Sequence, residues 1–207
     1  MDELREFCVR MLGDGEAAQQ AAARAEQASG TDRVSALAGA VAACRRAGTG
    51  GETDRQADRE PDPAPDPDLG LADAVASELA ATTARLPQRQ REALALRERF
   101  GLSHEEVAAA IGIEPTAVAA LLARARLRLR SELRGAAPPA VDCAERDRAL
   151  RTIGLRQDGE DVPQADDDWL LDHLGHCTGC AQAHAAMLEA SACYRAWRVP
   201  EPEPASR

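Results

Sequence analysis

Apolar residues recur along this chain at spacings of three and four, which predicts helices. Leu4, Phe7, Val9 and Met11 open a first segment, which LGDGEAA interrupts. An alanine-rich second segment covers 16–29. A third, over 32–46, sets Val34, Leu37, Val41 and Cys44 at helical spacing. The period returns at Leu71, with Val75 and Leu79 on the same face. Leu86-Pro87 starts a new element whose stripe is Ala93, Leu96 and Phe100, and Gly101 ends it. Ser103 and Glu106 form an S-x-x-E capping box for the next helix, which buries Val107, Ala108 and Ile111. Gly112 makes a turn, and Pro115 stands in the first turn of a long helix reaching about Arg134. Helix, glycine-containing turn, helix is the physical signature of a helix-turn-helix.

Two stretches break the pattern. Residues 48–70 are almost devoid of apolar side chains, with seven acidic residues, two arginines and alternating Asp-Pro. That composition predicts a flexible acidic linker. A shorter break, GAAPPAVD, precedes a last helical stretch. The expected fold is all-α in four parts: a small helical domain over 1–47, the linker over 48–70, a helix-turn-helix domain over 71–135 and a further small helical domain over 141–198.

The long helix has an unusual outer face. At about 100° per residue from Val118, the residues Leu122, Ala125 and Leu129 fall within about 40° and form the core face. Thr116, Ala119, Ala120, Ala123 and Leu127 lie on the other side. Base edges are read through hydrogen bonds from polar and charged side chains, and methyl groups supply none. This face therefore offers little to a DNA groove except Thr116. An apolar strip flanked by charge suits packing against another helix, so Ala119, Ala120, Ala123 and Leu127 are expected to dock on protein. Arg124 and Arg126 sit on the flanks, where they would touch phosphates.

Charge and composition narrow the reading. The 207 residues carry a net charge of −10, and aromatics make up 2%. Such a chain does not hold nucleic acid non-specifically. Residues 85–134, with ten Arg against six Glu, form a local basic patch. No apolar run approaches the roughly 20 residues of a membrane span, and the charged N-terminus lacks a signal-peptide core. A cytoplasmic protein without a membrane partner is expected. In that compartment six cysteines suggest metal or redox chemistry before a disulfide frame.

HLGHCTGC spaces His173, Cys177 and Cys180 so that a helix brings all three to one side. Thiolates and imidazole suit tetrahedral Zn²⁺, and Cys143 is the expected fourth ligand. His176 competes with His173, and a lone C-x-x-C also fits a redox pair or two buried thiols. Cys8, Cys44 and Cys193 read as packing residues. With no glycine-rich phosphate loop, no nucleophile–base pair and no open metal position, an enzyme is not expected.

The stretch from Leu86 to Leu129 resembles region four of the extracytoplasmic-function sigma factors. The resemblance is carried by Leu86-Pro87, Arg89 to Glu92, Gly101-Leu102-Ser103, Glu106, Ala108, Gly112-Ile113, Val118, Leu122 and Arg124-Ala125-Arg126. It implies a regulator of bacterial transcription initiation that docks on RNA polymerase core and promoter DNA. FCVRMLGDGEAAQQAAARA resembles the start of region two in the same factors, shortened and with Phe7 as the single aromatic of residues 1–84. The cysteine–histidine spacing resembles the zinc-binding anti-sigma domain. The alternative is a degenerate sigma-like interaction module, which binds a sigma factor, an anti-sigma factor or polymerase without reading DNA specifically.

Overall fold

The computed structural model describes residues 3–13, 15–28, 32–49 and 71–199. Every regular element among them is helical, so the protein is all-α. The expected linker falls almost wholly on residues 50–70, which lie outside the described residues. The chain divides into two compact units, residues 1–81 with 197–207 and residues 82–196.

The first unit is built on α1 (Glu3–Leu12), α2 (Glu16–Ala28) and α3 (Arg33–Thr49), each packed on the other two. Its core is Phe7, Leu37 and Val41 with small side chains between them: Cys8, Ala18, Ala21, Ala25 and Cys44. Alanine-rich helices approach closely, and a thin core results. Gly13, at φ +84°, ends α1, its N–H donating to the Val9 carbonyl at 2.8 Å. Buried Arg10 donates to Glu6 and to the Trp197 carbonyl, both at 2.9 Å. Its guanidinium lies 4.2 Å from the Trp197 ring centroid. α4 (Leu71–Ala84) follows the undescribed stretch.

The second unit begins in the last turn of α4. α5 (Gln88–Leu94) starts at Pro87, whose carbonyl accepts from Gln90 and Arg91. The single helix expected over 87–100 widens into a π-turn at Ala95–Arg99. Leu94, Ala95, Leu96 and Glu98 are all buried there. Single π-helical turns inside α-helices are frequent at functional sites, and here Glu98 is buried.

α6 (His104–Ile111) carries the expected capping box. Ser103 Oγ accepts from the Glu106 N–H at 3.2 Å, and Glu106 Oε2 accepts from the Ser103 N–H at 2.7 Å. Gly112, at φ +73°, turns the chain into α7 (Pro115–Arg134), bent 92° from α6. That angle is typical of a helix-turn-helix. α8 (Arg146–Gln157), α9 (Gln164–His176) and α10 (Thr178–Ala196) complete the unit, with α8 and α10 packed along α7. No single helix among the described residues is long and apolar enough to cross a membrane.

Candidate metal centre and the covered face of α7

Four chain positions deliver four donors. Cys143 stands just before α8, where its carbonyl accepts from the Arg146 N–H at 3.1 Å. His173 is in the last turn of α9, Cys177 closes that helix, and Cys180 is in the first turn of α10. Their three Sγ atoms and one ring nitrogen all lie within 4.8 Å of one another. Cys143 Sγ and His173 Nε2 are 3.5 Å apart. Around a tetrahedral ion with bonds of about 2.3 Å to sulfur and about 2.0 Å to nitrogen, S and N stand about 3.5 Å apart. The set can therefore hold a metal ion without rearrangement of that pair. His176 faces away: its ring is 80% exposed, and Nδ1 donates to the Asp172 carbonyl at 2.9 Å.

The thiols carry the electrostatic mark of crowded ligands. The Cys180 N–H donating to Cys177 pulls that thiol below its ordinary range. Burial, reinforced by Cys177 and Cys143, pushes Cys180 up to about 12. Neighbouring thiolates repel unless a cation lies among them. The His173 ring stacks on Trp169 at 4.9 Å between centroids. The Arg148 guanidinium also lies over Trp169, at 3.9 Å, and is itself held by Asp166 at 2.7 Å. Gly179 explains how Cys143 arrives. A Cβ there would stand 3.2 Å from the Ala140 carbonyl oxygen and 3.4 Å from Val141 Cα. Glycine at this position lets the chain before Cys143 lie close against α10, where a side chain would crowd it.

The centre shares a core with α7, the second helix of the helix-turn-helix. Cys180 belongs to one buried cluster with Ala123 and Leu127 of α7, Ala149, Leu150 and Ile153 of α8, and Met187 of α10. Cys143, Cys177 and Trp169 pack against it. Further up α7, Ala119 is 2% exposed. A Cβ on Gly154 of α8 would come within 3.2 Å of the Ala119 carbonyl oxygen. Of the strip, Ala119, Ala123 and Leu127 are thus covered by helices of the same unit, and Ala120 is half-buried. Thr116 and Arg124 are exposed.

Arg126 requires a correction. Expected on a phosphate-facing flank, it is fully buried. Its Nε donates to Glu98 at 2.8 Å, and its two Nη atoms donate to the two oxygens of Asp158. Around this pair lies a network that sequence reading did not find. Ser191 and Arg195 donate to Glu98 at 2.6 and 2.7 Å. His104 Nε2 meets Asp158 Oδ2 at 2.9 Å. Arg97 lies 3.3 Å from Asp158 and 3.5 Å from Glu160. Burial would raise the Asp158 pKa, but the His104 and Arg126 hydrogen bonds and the nearby positive charges hold it at about 2. The only sequence signal was the turn dipeptide Asp158-Gly159 at the end of α8.

Residues 76–129 match the family model described as Sigma-70, region 4. The matched span runs from α4 through the helix-turn-helix into the last third of α7. The match supports a sigma-factor-like role in transcription regulation for this part of the chain. No curated protein and no solved structure matches the chain.

Proposed function

We infer that the chain regulates bacterial transcription initiation in the manner of a sigma factor of the extracytoplasmic-function type, with residues 141–198 acting as a fused anti-sigma-like zinc domain. It works in the cytoplasm, where residues 71–135 engage RNA polymerase core. Residues 1–47 serve as a shortened region-two-like domain. The ion is Zn²⁺: three thiolates and one imidazole make a closed tetrahedral set, which suits a structural site and leaves no position for catalysis. When bound, zinc supplies a cross-link, and Cys143, His173, Cys177 and Cys180 fix the starts of α8 and α10 to the end of α9.

The observation that carries this reading is the position of the four-donor cluster. It lies at the root of the helices packed on the recognition helix of a region 4 domain. The same burial favours the second reading, a module that binds a sigma factor, an anti-sigma factor or polymerase without specific promoter recognition. Thr116 and Arg124 are the DNA-facing candidates still exposed on α7, and they carry little sequence information.

Run-off transcription with core polymerase tests the reading, using the chain alone and alongside an active sigma factor. A change in transcript yield that follows polymerase co-purification supports it. Unchanged transcription together with no retention on polymerase overturns it.

A further inference from the structure

The geometry points to Asp158-Gly159-Glu160 as a phosphate mimic in cis, a loop whose two carboxylates occupy anion-binding groups of the helix-turn-helix. This rests on the reading of α6 and α7 as the DNA-facing pair of a region 4 domain. In such pairs the first helix crosses the nucleic-acid backbone. Its free N–H groups and neighbouring cations are what a phosphate meets.

Here those groups are already engaged. The N–H of His104, the first residue of α6, donates to Glu160 Oε1 at 2.9 Å. Arg97, just before α6, lies 3.5 Å from Glu160 and 3.3 Å from the Asp158 carboxylate, and it also donates to the Asp158 carbonyl. The His104 ring donates through Nε2 to Asp158 at 2.9 Å, and its Nδ1 is buried without a hydrogen-bond partner. Arg126 anchors the loop from below through its paired contacts with Asp158.

The local chain geometry makes the arrangement specific. Gly159, at φ +68°, ends α8, with its N–H donating to Arg156 and that of Glu160 to Leu155. The left-handed turn sets two carboxylates, two positions apart in the chain, against one helix N-terminus and one guanidinium. Asp158 is fully buried at its side chain and Glu160 is 22% exposed. Asp158 is therefore the anchor, and Glu160 is the group that an incoming phosphate would displace.

The test uses the full metal-loaded chain and a fluorescein-labelled random-sequence DNA duplex, followed by anisotropy at several salt concentrations. Glu160→Ala should bind the duplex about ten-fold more tightly than the parent. The salt slope should steepen by about one, the mark of one added phosphate contact. Asp168→Ala, which removes the same charge from the exposed face of α9, should give no such gain. Arg97→Gln in the Glu160→Ala background should return binding to the parental level. Amide exchange at His104 should quicken in Glu160→Ala and slow again with duplex present. Asp158→Asn with Glu160→Ala should bind at least as tightly as the single variant if it folds, and the single variant decides if it does not. Equal binding by Glu160→Ala and Asp168→Ala, or a gain that survives Arg97→Gln, overturns the inference. An absent gain combined with normal action on polymerase strikes this inference alone. A gain in a protein that has no effect on polymerase strikes the sigma-factor reading and leaves the loop's role standing.

Discussion

Asp158 shows how much a single carboxylate can hold in this fold. Its pKa, held at about 2, lies below the ordinary 3.8. A depressed carboxylate contributes stability that is fully present above the ordinary value and is lost as pH falls through the folded one. That difference corresponds to something on the order of 2 kcal/mol. Urea unfolding of the second unit should therefore weaken as pH falls from about 4 to about 2, and Asp158→Asn should flatten that part of the curve. An unchanged slope in the variant would mean that other carboxylates set the acid sensitivity. Cys177 makes a comparable test at the candidate metal centre. Cys177→Ser removes one of four donors, and partial ligand sets bind zinc far more weakly. Elemental analysis should find about one zinc per parent chain and much less in the variant, with a lower melting temperature. Full zinc and unchanged melting in Cys177→Ser would remove that residue from the ligand set.

At the scale of elements, the legible features were the local ones. Ser103 and Glu106 announced the start of α6, Gly112 its end and Pro115 the start of α7, because caps and breakers act over three or four residues. The spacing of His173, Cys177 and Cys180 was equally local, but no single helix carries all three as expected: α9 ends at His176, Cys177 is extended, and Cys180 stands on α10. Long-range pairing was not legible. Arg126 follows Arg124 in a run that reads as a solvated basic flank, and nothing near it in sequence tells of Glu98, 28 residues before, or Asp158, 32 residues after. The π-turn escaped for a similar reason, since its apolar stripe differs little from that of an ordinary helix. The strip on α7 was visible as a line of methyl groups, but its cover depended on Gly154, which is indistinguishable in sequence from a helix-weakening glycine. Two substitutions separate these packing roles. Ala123→Glu places an unpaired charge at a position 1% exposed and should destabilise the second unit by about 3 kcal/mol or more. Ala120→Glu, at a half-buried position, should cost far less, and circular dichroism should show helix content kept. Equal tolerance of both in thermal melts would mean that α7 is not covered along this side.

At the scale of the whole molecule, the aromatic inventory limits what the protein can do to a promoter. Capturing unstacked bases relies on aromatic faces, each stacked base contributing about 1–3 kcal/mol. The chain has two Phe, two Trp and one Tyr. Phe7, Phe100, Tyr194 and Trp197 are buried. The fifth, Trp169, is half-buried and carries both the His173 ring and the Arg148 guanidinium against its own ring. No aromatic ring is left as a free platform for a flipped base, and Phe7, the single aromatic of residues 1–84, is fully enclosed in the core of the first unit. Opening a duplex costs a few kcal/mol for each unstacked step, so a factor without such platforms has little with which to stabilise a bubble. The chain with core polymerase on a linear promoter should accordingly leave thymines unreactive to permanganate, while a competent sigma factor on the same template makes them reactive. A clear bubble from this chain alone would show that bases are held by other means, with Arg side chains as stacking planes the first place to look.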